Sequence, residues 1–487
     1  MLSLYKININ RFGVLFIFLA AMGCKKFVAV EAPTTSVNEE NVYRSDPTAI
    51  AVLTGIYAPM VSDGLFSGSS GISLLSGLSA DELTLASVIT DTRFIAYYKN
   101  ELRSGPLESY GIDVWRGIFY YIFKCNAALE GLGKSESLTP AVKKQLLGEA
   151  RFMRAFFYFY LVNFVGEAPL IVTTAPAVNS VLPRSPVPLV YQQIVADLKE
   201  AQQLLSENYL TKELQNYTGT PERVRPTKWA ATALLARTYL YLADYTNAEM
   251  EASKIISNIA RFSLPEVNSV FLKNSAEAIW QLQPVQVGRN TADAFVFILP
   301  VTGPNANANP VYLSPQLLIA FEPGDLRRKG GNWVDSVIVS GTTWFYPAKY
   351  KANITSGAAS EYLMVMRLAE QYLVRAEARA RQNNIGGAQS DLNAIRTRVG
   401  LPDTKAKDQT SLLSAILNER QVEFFTEWGH RWLDIKRSGK VDAVMNGVTP
   451  LKANGRPWQS YQQLYPVLYS DIRMNPNLSQ NNGYQTP

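Results

Sequence analysis

Residues 227–257 read TKWAATALLARTYLYLADYTNAEMEASKIIS, and their spacing decides the fold. Leu235, Ala236 and Tyr239 place a large, a small and an aromatic side chain on a first helix. Ala248 and Ala252 place small ones on a second. These are the offsets of a tetratricopeptide hairpin, in which small residues let two antiparallel helices approach closely. Pro226 is placed to open the first helix, because proline is tolerated in a first turn. The spacing partly returns further on: Ala376 and Ala388 stand twelve residues apart, as Ala236 and Ala248 do, and Leu392 and Ile395 follow. The stripe Ala369, Leu373, Ala376 and Ala380 gives that later first helix its buried face, and residues 383–387 supply the turn. A further helix is expected over residues 411–428. The expected fold class is all-α, a tetratricopeptide-like helical-repeat scaffold.

Towards the N terminus, residues 46–57 turn helical, with Ile50, Leu53, Ile56 and Tyr57 recurring at three and four. A loop rich in Ser and Gly covers residues 62–77. Trp115, Ile118, Ile122 and Cys125 mark a second helix. A third is expected over residues 141–164, where Phe152, Phe156, Phe159 and Tyr160 make it apolar nearly all round, the pattern of a helix buried on several sides. Pro169 is expected to end it, and a proline-rich connection leads to an amphipathic segment at residues 190–205. Between the repeats, residues 284–360 are dense in Gly, Pro, Asn and Ser, with β-like runs at 294–299 and 334–339. A structureless loop of that length is unusual in a compact domain unless it is functional. The segment therefore reads as a loop-rich ligand-binding insert with short β-strands. Residues 46–283 and 361–440 form the scaffold around it, and residues 441–487 read as a C-terminal irregular segment.

The N terminus has a different character. Lys6 and Arg11 precede an apolar run over residues 12–21, and Ala21-Met22-Gly23-Cys24 follows. A basic region, a short apolar region and small residues at a cut site make a secretory signal, here residues 1–23. Cys24 directly after the small residues turns the site into a lipobox, with the thiol as the lipidation point and residues 24–45 as a tether. The box departs from its best form in carrying Ala21 rather than leucine. Residues 1–23 hold two of the 47 basic residues and none of the 41 acids, so the remainder carries 45 against 41, a net of +4. So even a balance gives no argument for nucleic acid as a partner. With Cys24 lipidated, Cys125 stands alone and reads as a small buried hydrophobe.

Catalytic motifs are scarce. The single histidine, His430, rules out two-histidine metal motifs. It sits between Trp428 and Trp432 and reads as a packed ring at a helix terminus. There is no G-x-S-x-G elbow and no G-x-G-x-x-G loop, and Gly133-Lys134-Ser135 lacks the first glycine of a phosphate loop. Paired carboxylates would suffice for a glycosidase, yet Asp81 and Glu82 are neighbours and point about a hundred degrees apart on a helix. No catalytic residue, metal site or cofactor is assigned. The aromatic residues remain. Tyr312, Trp333, Trp344 and Tyr346 lie in the insert. Phe94, Tyr97 and Tyr98 lie in an apparent loop with Arg93 and Asn100. Exposed rings offer flat faces to the C–H faces of sugars, while amide and guanidinium groups bond hydroxyls, so these nine residues are the candidate ligand contacts.

Taken together these pieces resemble a known family. Cys24 followed by Lys25-Lys26-Phe27 is similar to the start of the SusD-like (SusD/RagB) outer-membrane lipoproteins of Bacteroidetes. So are Glu149-Ala150-Arg151-Phe152-Met153-Arg154-Ala155 and Arg225-Pro226-Thr227-Lys228-Trp229-Ala230. Arg367-Leu368-Ala369-Glu370-Gln371-Tyr372, Arg375-Ala376-Glu377-Ala378, Asn418-Glu419-Arg420 and the run from Gly429 to Asp434 resemble it too, as does the tail from Asn475 to Tyr484. Within these motifs Glu377 and Arg381 are spaced to pair at i, i+4. The resemblance implies surface capture of oligosaccharides or related nutrients without catalysis. It also implies a SusC-like TonB-dependent transporter as partner and a lipid anchor in the outer membrane, with the domain facing the cell exterior. Read from residues alone, a carboxylate glycosidase and a protein-binding repeat scaffold stay open as alternatives.

Overall fold

The computed structural model describes residues 42–62, 64–354 and 357–486. The signal segment, Cys24 and nearly all of the tether lie outside the described residues. The scaffold is a run of antiparallel helices: α1 (Asp46–Tyr57), α2 (Ile72–Ser79), α3 (Thr92–Tyr98), α4 (Asp113–Lys134), α5 (Pro140–Val165), α6 (Val187–Leu204), α7 (Lys228–Tyr241) and α8 (Tyr245–Ile256). It continues with α9 (Leu368–Arg381), α10 (Ile385–Arg398), α11 (Gln409–Glu423), α12 (His430–Arg437) and α13 (Val441–Lys452). From α4 to α10 each helix packs on the next, and α9 returns against α7 and α8.

The two hairpins read from spacing share more than their small residues. Ala243 and Asn383 both take left-handed backbone angles, φ 57° and 62°. Asp244 N donates to Tyr239 O at 2.9 Å, and Asn384 N to Arg379 O at 2.8 Å. The Asp244 and Asn384 side chains then accept from Asn247 N and Gly387 N, capping α8 and α10. Ala369, Leu373, Ala376 and Ala380 meet Ala388, Leu392 and Ile395 in one buried cluster, as the stripe predicted. Helix α5 is buried nearly all round, and Phe156 sits 5.6 Å from Trp280 and 5.5 Å from Trp428. Buried ion pairs join neighbouring helices: Arg154 Nη2 with Asp197 Oδ1 at 2.7 Å, and Arg237 Nη2 with Glu370 Oε2 at 2.6 Å.

Several expectations are corrected. The third helix ends at Val165 because Gly166 takes φ 83°, before Pro169 is reached. Helix α7 starts at Lys228, with Thr227 rather than Pro226 at its cap. Glu377 pairs with Arg437 at 2.6 and 2.7 Å instead of with Arg381, because α9 is packed against the end of α12. The further helix α11 stops at Glu423, short of Trp428. Residues 294–299 are not a strand: Thr291 Oγ1 accepts from Ala294 N and starts a short helix, Ala292–Phe297. The Ser/Gly-rich loop contains α2, and the C-terminal segment opens with the three-turn helix α13.

The insert contains β-structure and belongs to the same core. Strand β1 (Leu83–Leu85) pairs antiparallel with β3 (Val311–Leu313), and β2 (Ala278–Leu282) with β6 (Leu363–Arg367). Strands β4 (Val334–Val339) and β5 (Thr342–Pro347) form a hairpin. Its two-residue turn, Ser340-Gly341, has φ 48° and 82°, the positive pair that a tight hairpin needs. Beneath the hairpin lies a network of buried charges. Arg367 donates to Glu277, Glu423 and Glu427, Arg327 to Asp325 and Glu423, and Arg398 to Glu277 and Glu423. Lys349 reaches Glu427 and the Glu423 carbonyl. Among the described residues no helix is long and apolar enough to cross a membrane.

A buried acid beside β1 gives a pH prediction. Burial, with Asp81 adding repulsion, pushes Glu82 from 4.5 up to about 8. Folded Glu82 therefore holds its proton in a pH window where the unfolded chain has released it, so its contribution to stability falls as pH rises from about 4.5 to 8. Glu82→Gln keeps the shape and removes the titration. Its thermal midpoint is expected to gain on wild type as pH rises through that window. Parallel melting curves check this, and a constant gap between the two proteins would contradict it.

Candidate functional site

The nine candidate contacts divide by burial. Tyr97 is buried on α3 rather than displayed on a loop. Its hydroxyl donates to Asp113 Oδ2 at 3.0 Å and its ring packs on Tyr465. Phe94 is buried on the same face, three residues back. Asn100 stands at φ 54°, with its Nδ2 on Ser79 O and its Oδ1 accepting from Thr449. Arg93 fastens the turn before α2, donating to Ser70 Oγ and Ser69 O. Trp333 is fully buried under the hairpin, and its Nε1 donates to Val267 O at 2.9 Å. These five side chains are held by the fold's own contacts. The loop reading fails for α3 because Asp91 accepts from Arg93 N and caps a helix there. An acid followed by Phe94 and Tyr97 at helical spacing was the available signal.

Tyr98, Tyr312 and Trp344, by contrast, come from separate segments and meet. In the β1–β3 register Thr84 stands opposite Tyr312. Partial burial raises the phenol pKa values of both Tyr98 and Tyr312, with Tyr312 adding repulsion at Tyr98, while the nearby Thr84 hydroxyl acts to lower both. Strand β3 lies against β5, which sets Tyr312 edge-on to Trp344 at 4.7 Å between ring centres and 77° between planes. All three rings are half-buried, each keeping surface open to solvent. Tyr346 follows Trp344 on the same face of β5, opposite Asp335, and burial, with the Asp335 charge adding to it, raises the Tyr346 phenol.

Polar groups border this platform. Lys452 Nζ lies 5.2 Å from the Tyr98 ring centre and donates to the carbonyls of Leu78 and Ala80 at the end of α2. Gly303, at φ 80°, brings its loop against Trp344. A Cβ there would stand 3.1 Å from Val339 and 3.5 Å from the indole, so a larger residue would push the loop away. Asn305 closes that loop, its Oδ1 accepting from Asn307 N and Ala308 N. The platform is an open surface of rings and amides, suited to laying a chain across rather than enclosing a small molecule.

His430 opens α12 with its ring against Phe424, 4.8 Å between centres. Burial and the surrounding Arg237, Arg420, Arg367 and Lys349 hold its pKa well below the usual range, so the ring stays neutral. Cys125 is buried. No group of three or more His, Cys, Asp or Glu among the described residues is arranged to hold a metal ion.

Two family models match the chain. The model described as the SusD family covers residues 327–484, and the one described as "starch-binding associating with outer membrane" covers residues 65–240. A SusD-like protein of Formosa agariphila is 24% identical over 537 residues, spanning 96% of this chain and 98% of that protein. The starch-binding protein SusD of Bacteroides thetaiotaomicron is 37% identical over 123 residues, 25% of this chain and 21% of that protein. Among solved structures, a SusD superfamily protein from Parabacteroides distasonis matches with a TM-score of 0.74 at 22% identity, covering 90% of this chain and 99% of that one. A laminarin-binding SusD-like protein matches at 0.69 and 20% identity, with the same coverage of each chain. The helical-repeat fold is common to both.

Proposed function

Because this chain belongs to the SusD-like family, we propose that it is a surface glycan-binding protein whose ligand lies across the Tyr98–Tyr312–Trp344 platform. The observation that carries this reading is the meeting of three partly open rings at one polar-edged surface, Tyr98 coming from a segment more than two hundred residues before the one that holds Tyr312 and Trp344. Sugar C–H faces stack on such rings, and the Tyr98 and Tyr312 phenol hydroxyls bond sugar hydroxyls. The relatives named for starch and laminarin binding support a glucan-like ligand. Cys24 anchors the domain by lipid to the outer membrane, facing outward. The bound chain is handed to a SusC-like TonB-dependent transporter. No step of catalysis is assigned.

Retention on native gels cast with starch, laminarin or xylan tests the ligand, with reducing ends measured in the same samples. Retention by one of the three with no release of reducing ends is expected. Release of shorter sugars would make the protein a hydrolase. Trp344→Ala and Tyr312→Ala should each weaken retention by about tenfold or more while moving the thermal midpoint little, because these rings are half open. Unchanged retention would remove the platform from the site. Cys24→Ser is expected to leave the protein folded and shift it from the membrane fraction to the soluble one, and full retention in membranes of cells lacking the transporter would contradict the anchor.

A further inference from the structure

A second concavity, of about 690 Å³, opens between α1, the turn around Leu214 and the chain that follows β2, and none of the nine candidate contacts lines it. Its size falls within the roughly 300–1,000 Å³ of small-ligand sites. Tyr57, Leu210, Val224 and Leu282 give it apolar walls, with Val285 at the rim. On its lining is Arg225, only 6% exposed. Arg225 Nη1 donates to both oxygens of Glu149, at 3.0 and 2.8 Å, and Nη2 donates to Thr54 Oγ1 at 3.3 Å. Tyr57 also donates to Glu149, at 2.7 Å. Among the described residues no acceptor takes up Arg225 Nε, so a buried guanidinium on the cavity wall keeps a donor in hand.

The charges around this cavity are already matched. Arg225 faces Glu149, Lys212 lies 3.6 Å from Glu213, and Glu222 is bonded by Lys273 and by the Tyr362 hydroxyl. A charged ligand would therefore meet no unpaired opposite charge, and desolvating it would go uncompensated. A neutral polyol is suited to the same lining: its hydroxyls both give and accept, to Arg225, Glu222 and the Thr54 and Thr211 hydroxyls, while its C–H faces meet Tyr57 and Leu282. We infer that this cavity is a second sugar site, which takes the end of a neutral oligosaccharide independently of the aromatic platform.

The test titrates maltopentaose, laminaripentaose and xylopentaose calorimetrically into the full chain without its signal segment. Three proteins are compared with wild type: the Tyr312→Ala/Trp344→Ala double variant, Val285→Trp, and the triple combination. Val285 is half exposed, so the added rings fill the cavity mouth without disturbing the core. One pentasaccharide is expected to keep binding to the double variant, and Val285→Trp is expected to weaken that residual binding by about tenfold or more while leaving platform binding in place. Complete loss of binding in the double variant overturns the second site, as does residual binding that ignores Val285→Trp. Residual binding taken over by an uncharged, end-blocked tripeptide in place of the sugars also overturns it. The platform reading fails separately, when the double variant binds as wild type does.

Discussion

Trp333→Ala is expected to destabilise the protein by about 3–5 kcal/mol, the usual cost of deleting a fully buried large aromatic side chain. Three losses combine at this position. The indole leaves a hole where it meets Phe271, 5.5 Å away between ring centres. The Val267 carbonyl loses its donor. Lys349, Arg367 and Arg398, whose charged groups lie 4.8, 5.6 and 5.6 Å from the ring centre, lose a π face in a buried setting. A thermal melt should show a drop of several degrees, and glycan retention should fall only in step with the folded fraction. Trp344→Ala should do the reverse. If Trp333→Ala melted like wild type and lost retention, the ring would be a ligand contact.

Arg367→Met is expected to cost about as much, in the 3–5 kcal/mol range found when one partner of a buried ion network is removed. The Arg367 guanidinium bonds Glu277 Oε1 at 2.7 Å, both oxygens of Glu427 at 2.9 Å, and Glu423 Oε1 at 2.5 Å. Burial alone would raise the Glu423 carboxyl, but Arg398, Arg367 and Arg327 together hold it well below its ordinary value. That depression is stability present above the unfolded carboxyl range and lost as pH falls. In Arg367→Met the carboxylates lose a counter-charge, so the difference in midpoint from wild type should be largest near neutral pH and should narrow in mild acid, where Glu423 can take up a proton. A midpoint difference that does not change with pH would show that packing, not charge, is what the arginine supplies.

The helices were legible because their signal is local. Small residues twelve apart and an apolar stripe at three and four sit within one window, and 227–257 and 369–395 folded as that spacing required. The candidate site was legible in residue type and not in burial. Tyr97 and Tyr98 are neighbours, yet on a helix they point about a hundred degrees apart, one into the core and one to the surface. Trp333 and Trp344 lie eleven residues apart, one just before the hairpin and one in its second strand, yet the first is inserted beneath the hairpin and the second lies on its face. Composition does not separate such cases. The charge network was illegible for another reason: Arg327, Arg367 and Arg398 meet Glu277 and Glu423 only after distant segments converge, and each reads alone as an ordinary solvated charge.

The β4–β5 hairpin divides along its length. Its base stands over Trp333 and the buried charges, while its tip, Ser340-Gly341, is a two-residue turn flanked by the exposed Ile338. Changes to the outer half, including a longer or shorter tip, therefore alter the floor beside Trp344 without reaching the network beneath, since exposed tips tolerate replacement. Such an arrangement makes recognition modular. On the reading proposed for the platform, a few substitutions in the outer hairpin would change which sugar chain is held, while the frame that presents it stays as it is.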